Sequence, residues 1–210
     1  MIKEISLILN YSPLVVVPAV WLWAIVAYWK KWNLWHLIWV MISFLLGLAL
    51  IKSTLQYWVW NQSQLTRTLL HLPLPKTGLG WFAGLPVFTK LSPGYFLYYS
   101  WNHFWQAGLL SVVVAFVVYG FFAVVGKYKK DYFFGREGKL ACVMVLVVGW
   151  PMAIFLVILT LLLALALAVG QWLYRRQATT DLFWPLVISS AICLIFSVQL
   201  TNWRFFLVGF

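Results

Sequence analysis

The sequence predicts an all-α integral membrane protein with about five transmembrane helices and an aromatic, Pro- and Gly-rich extracytoplasmic segment. Of its 210 residues, 64% are hydrophobic and 9% are charged, whereas a soluble domain carries about 25% charged residues. Several apolar runs approach or exceed the roughly 20 residues that a helix needs to cross about 30 Å of hydrocarbon. The Lys and Arg residues, which give a formal charge of +11, lie mostly between these runs.

Residues 1–52 are predicted to form a helical hairpin of two spans. The first apolar run extends from about Leu14 to Trp29 and stops at Lys30-Lys31. The second extends from Leu34 to Ile51. The link between them is short, so the two helices should lie side by side.

Residues 53–103 are predicted to form an extracytoplasmic segment. They are rich in Pro, Gly and aromatic residues. Pro and Gly disfavour a long helix, and the aromatic content disfavours a solvated, disordered loop. We therefore expect this segment to lie in the membrane interface or to pack on a partner.

The C-terminal half contains a third span over 104–126, a basic cytoplasmic loop over 127–139 and two further spans within 140–210. The apolar run from Leu140 to Tyr174 would be about 52 Å long as one helix, which exceeds the hydrocarbon core. Either that helix projects beyond the bilayer, or Gly149-Trp150-Pro151 kinks or breaks it. The last run extends from Phe183 to Thr201.

The distribution of basic residues predicts the orientation of these spans. The Lys30-Lys31 link and residues 127–139 share one side in a five-span count, and cytoplasmic loops carry an excess of Lys and Arg. We therefore expect the N-terminus and the aromatic segment outside and the C-terminus inside. Arg175 and Arg176 then lie outside, against the rule.

Four apolar runs carry small residues at four-residue spacing. Small residues on one helix face allow the backbones of two membrane helices to approach closely. We predict these as helix-packing faces: Ser43 and Gly47; Ala107, Ser111 and Ala115; Thr160, Ala164 and Ala168; Ser189, Cys193, Ser197 and Thr201.

The basic loop is predicted to contact lipid head groups or a cytoplasmic partner. The cations are Lys127, Lys129, Lys130, Arg136 and Lys139. The sequence Gly135-Arg136-Glu137-Gly138-Lys139 faintly resembles a loop of the prepilin peptidases, but the Asp residues of that family are missing. We therefore interpret it as a solvated loop in which Glu137 has no partner carboxylate.

The sequence predicts no catalytic, cofactor or metal site. None of the four acidic residues lies inside a predicted span, whereas intramembrane carboxylates usually mark ion paths. His36 and His103 are predicted at opposite sides of the membrane, and His71 and His103, which could approach, lack a third ligand for a metal site. Cys142 and Cys193 are predicted to be buried thiols. The positive charge is interpreted as orienting helices and contacting lipid, so no nucleic acid is expected.

Residues 52–139 have the order outward span, aromatic external segment, inward span and Gly135-Arg136-Glu137-Gly138-Lys139. This order resembles the membrane-anchor region of the coupling proteins of F-type conjugation systems, which belong to type IV secretion. The cytoplasmic ATPase of those proteins has no counterpart, because the chain from Leu140 onward is again apolar. The resemblance implies an accessory membrane subunit of a conjugative machine.

The predicted function is therefore a non-catalytic, multi-pass subunit of a larger assembly in the bacterial inner membrane. Its expected partners are the lipid bilayer and other membrane subunits in a hetero-oligomer. The alternative is an accessory subunit of an energy-transducing complex that binds quinone, lipid or pigment among its tryptophans. A small transporter or membrane enzyme is a third hypothesis, disfavoured by the scarcity of polar groups in the spans.

Overall fold

The computed structural model describes residues 2–72, 93–128, 136–175 and 181–207. Side chains are described for all of these except residues 2, 3, 6, 174, 175 and 198–207. Within these ranges the chain is helical and contains no β-strand. The all-α prediction is confirmed for this part of the protein.

Eight α-helices follow one another along the described chain. They are α1 (Ile2–Trp29), α2 (Trp35–Gln62), α3 (Gln64–Arg67), α4 (Gly94–Ser100), α5 (Gln106–Tyr128), α6 (Glu137–Val148), α7 (Met152–Arg175) and α8 (Phe183–Leu207). A 3-10 turn, Thr68–His71, follows α3, and a π-helical turn, Trp101–Trp105, joins α4 to α5.

Four helical segments are long and apolar enough to cross a membrane. They are Leu7–Trp29, Trp35–Gln62, Gly94–Tyr128 and Met152–Leu173. The apolar part of α8, Phe183–Ser197, is shorter. The protein is therefore a membrane protein with several apolar helices, and the count of five crossings stays a prediction.

The first two helices extend beyond the apolar runs that predicted them. Helix α1 begins at Ile2 and contains Pro13 and Pro18, and α2 continues to Gln62. The sequence prediction placed the helix ends where apolar residues stop. In the structure the helices continue into polar flanking residues, which can remain helical where they leave hydrocarbon.

The chain divides into two compact units, residues 44–109 and residues 1–43 with 110–210. The smaller unit has an aromatic core. Trp60, Leu70 and Phe96 are buried there, and the ring centroids of Trp60 and Phe96 lie 5.5 Å apart in an edge-to-face arrangement. These residues belong to the predicted aromatic segment, of which residues 73–92 lie outside the described ranges.

The larger unit is built around α6. Eleven of its twelve residues are buried, Lys139 being the exception. Helices α1, α7 and α8 pack against it. Helix α5 also approaches closely, since a Cβ added to Gly138 would lie 2.9 Å from the Cβ of Phe122. At about 18 Å, α6 is too short to cross the hydrocarbon core.

Contacts along α6 fix the directions of its neighbours. Gly138 lies beside Phe122, and Gly149 lies beside Ser111, so α5 runs antiparallel to α6. Helix α8 starts level with α6, because the Leu182 N–H donates to Glu137. Helix α1 runs antiparallel to α8: Tyr28 stacks on Phe183, and Trp21 donates to Ser190 at 2.8 Å.

Helix α7 runs back along the direction from which α6 came. Near its start, Met152 lines a cavity with Ile192 and Phe196 of α8. Nine residues later, Leu161 lines a second cavity with Ala141 of α6 and Leu186 of α8. Helix α7 is therefore antiparallel to both α8 and α6, and α6 and α7 form a hairpin.

The turn of this hairpin lies at Gly149-Trp150-Pro151. Gly149 has φ +73° and ψ 167°, a backbone region that is essentially restricted to glycine. Pro151 lacks the N–H that would continue the helix. The Trp150 N–H donates to Oγ of Ser111 at 2.7 Å, so a donor freed by the turn is satisfied inside the protein.

Two sequence predictions are settled by this hairpin. Of the two alternatives for Leu140 to Tyr174, the structure shows the break at Gly149-Trp150-Pro151. The prediction that residues 136–139 belong to a solvated loop is wrong, because Glu137 and Gly138 are buried in the first turn of α6. Because α6 is apolar on nearly every side, its sequence pattern does not indicate that four neighbouring helices cover its first turn.

We expect Ser111→Ala to destabilise the larger unit. The substitution leaves the partly buried Trp150 N–H without its acceptor, which costs about 1–3 kcal/mol. Thermal denaturation of the purified protein in detergent should show a melting temperature lowered by several degrees. Ser43→Ala, at an exposed position of α2, is the control and should change little. Equal melting temperatures for the two variants would contradict the role of Ser111.

Candidate functional site

Charged residues from three parts of the chain meet at the end of the larger unit where α6 begins. They come from the link between α1 and α2, from the start of α6 and from the residues before α8. The prediction that residues 30–31 and 127–139 share one side of the membrane is consistent with this meeting.

Arg136 ties the start of α6 to the link between α1 and α2. Its Nη2 donates to the Trp32 carbonyl at 3.0 Å, and its Nη1 lies 3.4 Å from the Tyr28 carbonyl. The guanidinium carbon is 5.8 Å from the centre of the Tyr28 ring. These carbonyls belong to the C-terminal end of α1 and its link, where a cation is favourable for the helix dipole.

Glu137 is the acidic residue of this cluster that is withdrawn from water. Its side chain is 1% exposed. Oε1 accepts the Leu182 N–H at 3.3 Å, whereas Oε2 has no hydrogen-bond partner among the described residues. The neighbouring Arg136 does not supply one, because its guanidinium nitrogens point to the carbonyls of Tyr28 and Trp32.

Burial raises the pKa of Glu137 to about 7. The charge of the nearby Asp181 carboxyl raises the pKa further, and the hydrogen bond from the Leu182 N–H opposes the shift. A carboxyl that loses water without gaining a cation favours its neutral form. Glu137 is the first residue of α6 and lies outside the four apolar segments that are long enough to span a membrane.

The prediction that Glu137 has no partner carboxylate is wrong. Asp181 lies close enough to influence its ionisation, and it also caps α8 by accepting the Phe183 N–H at 2.9 Å. The five-span topology placed these two acids on opposite sides of the membrane. The hairpin of α6 and α7 brings the two acids together, and no sequence motif indicates this contact.

Lys139 and Lys127 differ in their surroundings. The Lys139 ammonium lies 5.8 Å from the centre of the Trp35 ring, within the range of a cation–π interaction. Lys127 is exposed at the end of α5. Lys129 and Lys130 lie outside the described residues.

The predicted small-residue faces have different surroundings. Ser111, Ala115, Thr160, Ser189 and Cys193 are buried within the larger unit. Ala164, Ala168 and Ser197 are partly exposed, Ala107 and Ser43 are exposed, and Gly47 is partly exposed. The side chain of Thr201 lies outside the described set.

The histidines occupy exposed positions on their helices and turns. All three are exposed. His103 stacks on Tyr99, with ring centroids 4.0 Å apart, and its Nδ1 lies 2.9 Å from the Tyr99 carbonyl. No group of three or more His, Cys, Asp or Glu residues that could hold a metal ion occurs within the described ranges.

Comparison of the chain with protein-family models, with curated proteins and with solved structures finds no match. The chemistry of the site therefore rests on the geometry of these residues. That geometry provides a buried carboxyl with a raised pKa beside an exposed acid and two basic segments.

The pKa of Glu137 predicts how stability depends on pH. Between pH 4.5 and about 7 the unfolded chain has released this proton while the folded chain retains it. The free energy of unfolding therefore falls as pH rises through this window and levels off above it.

Glu137→Gln keeps a neutral side chain at every pH, so we expect it to melt higher than the wild type at pH 8 and to lose much of the pH dependence. The difference should reach about 1–3 kcal/mol. Melting temperatures from pH 5 to 8 provide the measurement. Glu4→Gln, at an exposed position near the N-terminus, should keep the wild-type slope. A Glu137→Gln slope equal to the wild-type slope would contradict the assignment.

Proposed function

We propose that this protein is a non-catalytic, multi-pass subunit of a larger assembly in the bacterial inner membrane. The observation that carries the proposal is a face of α2 on which small residues are exposed among the described residues. Ser43 is exposed on α2. A Cβ added to Gly47 would have no atom within 4 Å.

The glycine at position 47 has a cost that no packing contact among the described residues offsets. Glycine inside a helix is less favourable than alanine by about 0.8–1.0 kcal/mol. It also offers less apolar surface to lipid than the leucines and isoleucines around it. A second helix that approaches closely over Ser43 and Gly47 gives the small residues a physical role.

The distal half of α7 is poorly covered by the described residues. From residue 161 to residue 173 no side chain is buried, and Leu165, Trp172 and Leu173 are strongly exposed. The register between α7 and α8 extends these residues past the start of α8. A membrane subunit that packs along α7 would cover this apolar surface.

Within this class we favour a conjugative or type IV secretion machine. The support is the resemblance of residues 52–139 to the anchor region of conjugative coupling proteins. The partner subunits would then be other membrane proteins of that machine.

The second candidate is an accessory subunit of an energy-transducing complex. The two apolar cavities beside α7, of 450 and 320 Å³, favour it, because their aliphatic and aromatic walls suit an isoprenoid or acyl chain. An absorption spectrum and an organic extract of the native preparation separate the candidates: a quinone or pigment in stoichiometric amount would favour the second.

Gly47→Leu should disrupt assembly while leaving the chain folded. The leucine has open space within the chain but blocks close approach of a second helix. We expect the wild type, extracted from native membranes in mild detergent, to migrate in an assembly much larger than one chain, and Gly47→Leu to shift most of the protein to smaller species.

Val59→Leu is the matched control, because it enlarges an exposed side chain about 120° around the same helix. It should assemble as the wild type does. A wild-type protein that migrates as a lone monomer without partners would overturn the proposed function. Normal assembly of Gly47→Leu would show that the face around Gly47 is not an assembly interface.

A further inference from the structure

A cavity of 630 Å³ lies where α1 ends and α8 begins. Its aromatic walls are Tyr28, Trp29, Phe183 and Trp184. Tyr28 and Phe183 stack with centroids 4.6 Å apart, and Trp29 meets Trp184 edge to face at 6.5 Å. Both helices change here from apolar to polar sequence, as spanning helices do at the level of lipid head groups.

Charges of both signs complete the cavity. Lys31, Arg136 and Asp181 contribute to its lining. Arg136 is held in place by the carbonyls of Tyr28 and Trp32, and its guanidinium retains further N–H donors. Asp181 uses Oδ1 to cap α8, which fixes the direction of its carboxylate.

The backbone of Lys31 is held in an unusual conformation at this cavity. Its φ is 58°, in the left-handed region that costs a residue with a Cβ about 1–2 kcal/mol. The Trp32 N–H donates to the Ala27 carbonyl and the Lys31 N–H to the Tyr28 carbonyl, which is a Schellman motif. Glycine usually occupies this position, so a lysine here points to a role for its side chain.

Apolar ridges run from the cavity into the membrane on both helices. On α1, Trp29, Val26 and Leu22 are exposed at helical spacing. On α8, Trp184 and Ile188 are exposed in the same way. Trp21 of α1 donates to Ser190 of α8, so the two ridges lie on neighbouring helices, and we infer a groove between them below the cavity.

We propose that this cavity binds the head group of a phosphatidylethanolamine molecule whose acyl chains lie along the groove between α1 and α8. The lipid phosphate contacts Lys31 and the free N–H groups of Arg136. The lipid ammonium contacts the Asp181 carboxylate and the faces of the surrounding rings. The groove favours a lipid over a soluble phosphate compound, which has no acyl chain to place there.

The mixed charge of the cavity selects the head group. An anionic lipid such as phosphatidylglycerol satisfies Lys31 and Arg136 but brings no ammonium to Asp181. Phosphatidylcholine carries a quaternary ammonium that cannot donate a hydrogen bond to Asp181. The primary ammonium of phosphatidylethanolamine donates a charge-assisted hydrogen bond to Asp181 and makes a cation–π contact with the surrounding rings.

The test is native mass spectrometry of the full-length protein titrated with the dioleoyl forms of these three lipids. We expect phosphatidylethanolamine to bind more tightly than either of the other two. Asp181→Asn should weaken its binding about tenfold, the effect of one charge-assisted hydrogen bond, and should remove the preference over phosphatidylcholine.

Lys31→Gly tests whether lipid binding can be lost without a loss of stability. The substitution removes the ammonium and places glycine at a left-handed position, so the melting temperature should hold or rise while binding of both phosphatidylethanolamine and phosphatidylglycerol falls. Arg67→Gln, which removes an exposed arginine that does not line the cavity, should leave binding unchanged.

Equal binding of the three lipids by the wild type would overturn the proposal. So would wild-type selectivity in Asp181→Asn at an unchanged melting temperature. Unchanged lipid binding by Lys31→Gly would also overturn it.

Discussion

The hydrogen bond from the Trp150 N–H to Ser111 makes the rest of this architecture possible. Hydrocarbon offers no partner to a free backbone group, so an irregular turn at membrane depth is tolerated only where protein satisfies it. The Gly149-Trp150-Pro151 turn meets that condition because Ser111 lies against it at 2.7 Å. With the turn in place, α6 can end after twelve residues and the chain can reverse.

The reversal determines which residues share one end of the larger unit. Because α7 returns along α6, the residues before α8 lie beside the start of α6, and Leu182 donates to Glu137. The same end holds Lys31 and Arg136, so the charged cluster and the aromatic cavity both follow from the hairpin.

The sequence predicts the helical class and the positions of most apolar helices, because the length and composition of each run carry that information. It also indicates the break at Gly149-Trp150-Pro151 as one of two alternatives. The direction of α7 could not be predicted, because a return and a continuation have the same hydropathy. Ser111 was predicted only as a small packing residue, since its role as an acceptor depends on where Trp150 lies in space. The approach of Asp181 to Glu137 was missed for the same reason. The two residues are separated in the sequence by all of α6 and α7, and only the fold brings them together.

Accessibility of single cysteines to a membrane-impermeant maleimide tests the hairpin most directly. In a background in which Cys142 and Cys193, both buried, are replaced by alanine, single cysteines would be placed at Lys30, Arg175 and Glu4. The account predicts that positions 30 and 175 react from one side of the membrane and position 4 from the other. Labelling of position 175 from the same side as position 4 would show that α7 crosses the membrane and would contradict the hairpin.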